Sequence, residues 1–165
     1  MGAVRSLIEK DRHDGDAVAC VLAPVNHAAG VFTTPTVTMR GYERCLFCIL
    51  GGAALDAAST LDVVVHQCTQ AADGGGDAKV LAGLYGTKAI AQVTAGSNYA
   101  TLNQKWLIEV ATEEMDVDAG FDFLLLSITI SAADTWYLAV EAQRSIADYE
   151  PVATTNITQA IGTTA

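Results

Sequence analysis

Between Tyr42 and Arg144 apolar residues arrive in runs of six to ten, rich in β-branched and aromatic types and bounded by Gly, Asp, Ser and Asn. The segment Lys105–Thr112 is the clearest. Trp106, Ile108 and Val110 fall on one face, while Lys105, Glu109 and the smaller Ala111 fall mostly on the other. Strict alternation of this kind predicts a strand with one buried side. Further strands are predicted at Tyr42–Leu50, Leu61–Thr69, Lys88–Thr94, Phe121–Ser131 and Thr135–Gln143. In Phe121–Ser131, Leu124, Leu126, Ile128 and Ile130 share a face and Phe121, Phe123 and Leu125 oppose them. Such a strand belongs in the middle of a sandwich or lies under a neighbouring subunit.

Turn clusters separate these runs: Gly51-Gly52, Asp73-Gly74-Gly75-Gly76-Asp77, Gly96-Ser97-Asn98, Asp118-Ala119-Gly120 and Ala132-Ala133-Asp134. The last two are short, which predicts hairpins joining Lys105–Thr112 to Phe121–Ser131, and that strand to Thr135–Gln143. Helix is expected only as short pieces, at Ser6–Glu9, where the spacing is that of a capping box, and over Asp77–Tyr85 with Asp77 as cap. Without long helical crossovers a doubly wound parallel sheet is disfavoured. The expected class is mainly β, a β-sandwich or jelly-roll-like fold with extended N- and C-terminal arms. Residues 1–36 read as the first arm, 37–150 as the sandwich domain and 151–165 as the second arm. Val21–Thr36 shows no sustained period, and Thr154–Ala165 is rich in Thr and Ala and has no charge.

The length of 165 residues suits one core, and about half the residues are apolar, which predicts a folded chain. Net charge is −10 and uneven: from Trp106 onward ten acids face Arg144 alone. That sign repels phosphate backbones, so direct nucleic-acid binding is disfavoured. The charged start of the chain lacks the apolar run of a secretory leader, and the longest apolar stretch, Phe121–Ile130, is too short and too interrupted for a helical bilayer span.

Candidate chemistry is sparse. Cys45 and Cys48 lie three apart in a predicted strand and so face opposite ways, which argues against a shared metal; Cys20 and Cys68 supply no second pair. His13 and His27 lie in segments without catalytic spacing, while His66 and Cys68, two apart, share a face, the geometry of half a Cys/His site. Asp116, Asp118 and Asp122 alternate in a turn, yet glycine comes one position early for a calcium loop and Ser127 stands where its final glutamate belongs. The glycines of Asp73–Asp77 lack the Gly-Lys-Ser/Thr ending of a phosphate loop. Trp106, Trp136, Tyr137, Phe121 and Phe123 would serve a sugar-stacking platform, though core packing is the simpler role. The reading is of a non-enzymatic chain with no catalytic residue, cofactor or metal site.

The run Tyr42-Glu43-Arg44-Cys45-Leu46-Phe47-Cys48-Ile49, then Leu61-Asp62-Val63-Val64-Val65-His66-Gln67-Cys68-Thr69 and a glycine-rich tip, resembles a family of small tailed-phage structural proteins. Lys88-Ala89-Ile90-Ala91-Gln92-Val93-Thr94, the stretch Glu109–Phe121 and the closing Ala147-Asp148-Tyr149-Glu150-Pro151-Val152 are similar to later segments of such proteins, in the same order. The resemblance spans about Gly41 to Val152; the four cysteines and the longer N-terminal region depart from it. It implies a β-rich virion component encoded among head genes, with no catalytic residue to carry over. The expected role is a capsid cement or decoration protein on the head exterior. Its partners would be the major capsid protein and copies of itself, without membrane or direct nucleic-acid contact. The alternatives are a head–tail connector or tail-tube component and, in another class, a carbohydrate-binding module for host attachment.

Overall fold

The computed structural model describes residues 18–54, 58–71, 76–84, 86–94 and 104–145. Ten strands follow one another: β1 (Val18–Thr33), β2 (Val37–Thr38), β3 (Arg44–Ala54), β4 (Thr60–Cys68), β5 (Lys79–Val80), β6 (Ala82–Gly83), β7 (Gly86–Thr87), β8 (Ala89–Thr94), β9 (Gln104–Ala111) and β10 (Phe123–Ser145). Two 3-10 turns, Thr112–Glu114 and Val117–Ala119, connect β9 to β10. The class is therefore mainly β, a curled antiparallel sheet that forms a half-barrel of sandwich-like character.

β10 organises it. Its first half pairs antiparallel with β4, from Phe123 opposite Cys68 to Ser131 opposite Thr60, and its second half with β3, from Trp136 opposite Ala54 to Ser145 opposite Arg44. β1 runs along both halves on the other edge, so that Ile130 stands between Gly30 and Leu61, and Val140 between Leu22 and Ile49. Outside β4 come β5 and β8, and outside β3 comes β9. Leu124, Leu126, Ile128, Ile130, Trp136, Leu138, Val140 and Ala142, all at even positions, are at most 2 % exposed. They meet Phe47, Ile49, Leu61, Val63, Val65 and Val110 from the neighbouring strands in one core. Each such side chain, fully buried, contributes about 1.5–3 kcal/mol.

Several expectations need correction. Phe121–Ser131 and Thr135–Gln143 are not a hairpin but one strand, because Ala132-Ala133-Asp134 holds neither a glycine nor the Asn-Gly or Asp-Gly pair of a tight primed turn, and the even positions on either side, Ile130 and Trp136, are both buried. Nor does Lys105–Thr112 pair with that strand; β9 pairs with β3. The Asp77–Tyr85 segment forms short strands in place of helix, with β6 and β7 paired about Gly83 and Gly86, the latter at φ +110°. Finally, of the expected arm over 1–36, residues 18–33 are strand β1, and Val21 and Thr34 are buried. Residues 1–17 and 146–165, and with them the Ser6–Glu9 turn and the C-terminal arm, lie outside the described residues.

Gly51 and Gly52, read from the sequence as a turn, sit inside β3. A Cβ on Gly51 would stand 2.5 and 2.7 Å from two carbons of the Trp106 ring, and one on Gly52 3.1 Å from Tyr137 Cβ. The glycines are there to let aromatic rings lie flat on the strand. Gly51→Ala is expected to lower stability by about 1–3 kcal/mol through this overlap, and Gly52→Ala by less, since Tyr137 is half exposed; urea titrations monitored by tryptophan fluorescence give both values.

Candidate interaction surface

The half-barrel has an end closed by the loop from Thr112 to Phe121, and a buried amide fixes that loop. Gln67, opposite core residue Leu124 in the ladder, is only 3 % exposed. Its Oε1 accepts from the Asp116 backbone N–H at 2.8 Å and its Nε2 donates to Asp116 Oδ2 at 3.0 Å. Lys79 Nζ reaches the same carboxylate at 2.5 Å and lies 4.0 Å from the centre of the Phe121 ring. The Lys79 ammonium, by hydrogen bond and charge, holds the Asp116 carboxyl below its ordinary range. Met115, 6 % exposed, inserts beneath the loop into the core.

Glu114 ties the β6–β7 hairpin to this loop. Its side chain is 4 % exposed, accepts from Lys88 Nζ at 2.8 Å and, through its second oxygen, from the Ala111 N–H at 2.9 Å. Burial pushes the carboxyl up, but Lys88, the Ala111 N–H and the Leu84 N–H together hold it below its ordinary value of 4.5. The stitched pair of segments therefore forms one firm tip. With β5, which Lys79 ties to Asp116, it carries Val80 at 44 %, Leu84 at 68 % and Val117 at 39 % exposure, three of the seven exposed large apolar residues among those described.

The carboxylates weighed as a calcium loop are drawn apart. Asp116 belongs to Gln67 and Lys79, whereas Asp122 accepts from Arg40 Nε at 2.9 Å; among the described residues no three His, Cys, Asp or Glu side chains gather as a metal cluster. His66 lies outward on β4, opposite Leu125 and Val80. Cys68 is fully buried, its thiol directed at the Gln70 carbonyl at 3.4 Å. Burial, with Asp77 adding to it, raises the Cys68 thiol, and burial lowers His66, so both are neutral at pH 7 and neither activates the other. Cys45 and Cys48 stand opposite Arg144 and Glu141, on opposite faces as their spacing predicts. Burial pushes Cys45 up to about 12 against the pull of the Arg144 charge. His13, Asp73, Gly74, Gly75 and the side chain of Cys20 lie outside the described residues.

Of the described aromatic residues, Trp106 and Trp136 meet at Gly51, and the others form no platform with them. Trp136 is 1 % exposed in the core, Tyr137 faces the other way, and Trp106 lies on Gly51. Phe121 is covered by Lys79, and Phe123 by Arg40 at 5.3 Å. A shallow depression of about 220 Å³ is lined by Glu43, Arg44, Ala111, Thr112 and Glu113. Its polar groups are already engaged: Arg44 donates to Glu109 at 2.8 Å, and Thr112 donates to Tyr42 O at 2.7 Å and Glu43 O at 2.8 Å.

A second exposed surface runs along β1. From Ala23 to Val31 every residue is exposed except the half-buried His27, whose ring stacks on Phe32 with centroids 4.6 Å apart. Burial lowers the His27 pKa. The whole of β1 contains no Asp, Glu, Lys or Arg, and among the described residues it pairs with β10 alone. Sequence reasoning missed this surface. Exposure on both faces removes the alternation by which a strand is recognised.

Two outcomes follow from the tip. Gln67→Leu leaves the Asp116 N–H without its acceptor and should cost about 1–3 kcal/mol in chemical unfolding. Because the Glu114 carboxyl is held below 4.5, its contribution to stability is present above that value and is lost as pH falls through the lower folded value. Thermal unfolding between pH 7 and pH 3 should accordingly fall less steeply for Glu114→Gln than for the parent in the acid limb. No protein-family model matches the chain, and no curated protein matches it in sequence.

Proposed function

We propose that the chain is a structural protein of a tailed-phage virion, a cement or decoration subunit that binds the exterior of the head shell and stabilises it. The observation that carries this reading is the tip formed by β5, the β6–β7 hairpin and the Thr112–Phe121 loop. It presents Val80, Leu84 and Val117 on a base fixed by Gln67, Asp116, Lys79, Glu114 and Lys88. A preorganised apolar contact loses little entropy on docking, and repetition over a symmetric shell turns a weak contact into large avidity. The order of motifs along the sequence supports the virion context. The partners are then the major capsid protein and further copies of this chain. The exposed acids Glu113, Asp116 and Asp118 would face solvent or a basic shell surface.

Purified heads lacking the protein, incubated with it and pelleted, are expected to retain it in many copies, with density spread over the shell in cryo-electron microscopy. Density confined to the neck or the tail would replace this role with that of a connector or tail-tube component. Leu84→Asp should weaken head binding by at least about tenfold, the equivalent of about 1.4 kcal/mol at one contact, while leaving the unfolding midpoint unchanged. Unaltered binding of this variant would remove the tip from the interface.

A further inference from the structure

We propose that β1 is the seam of a two-fold homodimer, in which Val25–Val31 of one copy pairs antiparallel with the same segment of a second copy about Ala28. This goes beyond the head-binding role and does not depend on it. Its first ground is charge. The chain carries −10, so two copies repel over most approaches. The 16 residues of β1 carry no acid or base, and along this strip two copies meet without opposing carboxylates.

The second ground is the pattern on the strip. Its large exposed apolar side chains are Val25, 46 % exposed, and Val31, 71 % exposed, and they stand three residues either side of Ala28. Antiparallel pairing about Ala28 therefore sets each Val25 against the partner's Val31, twice, with Ala28 on the axis and His27 against the small Ala29. A two-fold interface requires this self-complementarity, and a hetero-partner does not. Strand addition also satisfies backbone groups along a neutral edge that no described element covers.

The third ground is room. Nothing lies within 4 Å of the position a Gly30 side chain would take, and the glycine, at φ +141°, leaves that side of the strand open. Edge-protecting devices are present but lie elsewhere or face inward. Pro24 precedes the paired segment, in the register shift between Leu22 and Val25. At the shift between Ala28 and Gly30 the surplus residues belong to β10, between Ile130 and Thr135, while β1 passes through Ala29 alone.

The test uses the full chain in sedimentation equilibrium at neutral pH, with circular dichroism to confirm folding. The parent is expected to show twice the chain mass. Val31→Lys and Val25→Glu, each at an exposed position, should each weaken dimerisation by about tenfold or more, since a charge then faces a valine. The double variant Val25→Glu/Val31→Lys sets a new acid against a new base at both ends and should recover dimerisation. In a Cys20→Ser background, Ala28→Cys should cross-link on oxidation much faster than Ala23→Cys, because only the residue on the axis meets itself. A parent that stays monomeric at about 100 μM, a double variant no tighter than the single ones, or equal cross-linking at both positions would overturn the proposal. If the parent dimerises yet heads do not bind it, the head-binding reading fails alone; if a monomer decorates heads, only the seam is lost.

Discussion

The fold depends on one constraint, the burial of the even-numbered side chains along β10. From Leu124 to Ala142 the described even positions enter the core, and the strand is long enough to serve β4 first and β3 afterwards. A slip of one residue against either neighbour would turn eight large or apolar side chains outward. The register of the two halves is thereby set together, and β1, following the same strand along its other edge, inherits it.

Polar groups close what alternation leaves open. At one end Gln67, Asp116 and Glu114 fasten the loop over Met115. Beside the same loop, Arg144 continues the even row but is charged. It is 5 % exposed, donates from Nη1 to the Thr38 carbonyl at 3.0 Å, and rests 4.3 Å from the centre of the Tyr42 ring. A guanidinium packed in this way ends the apolar row without leaving its whole charge unsupported. The exposed ion pairs, Arg40 with Asp122 and Arg44 with Glu109, contribute little to stability individually. They do consume basic residues, which leaves the surface acidic.

How much of this was legible follows from where burial occurs. The strands at β3, β4 and β9 and both halves of β10 show in the sequence because each has a buried side, and burial writes a period of two, whereas β8 shows by its apolar run alone. Trp136 keeps the phase of Ile130, a mark of continuity that the intervening alanines and aspartate obscured. Gly51 and Gly52 were misread because glycine marks a close approach as readily as a turn, and the approaching Trp106 is distant in sequence. β1 left no period, since Ala23–Val31 buries neither face. The tip was hidden for a different reason: Gln67 and Asp116 are 49 residues apart, and nothing local marks their meeting.

The continuity of β10 through both halves of the half-barrel has a mechanical consequence. A pull that tends to separate those halves acts on peptide bonds before it acts on side-chain packing, and a pull along the strand must shear the ladders to β1, β3 and β4 together rather than unzip them one bond at a time. A body built in this way resists internal stretching and passes strain outward to its contacts.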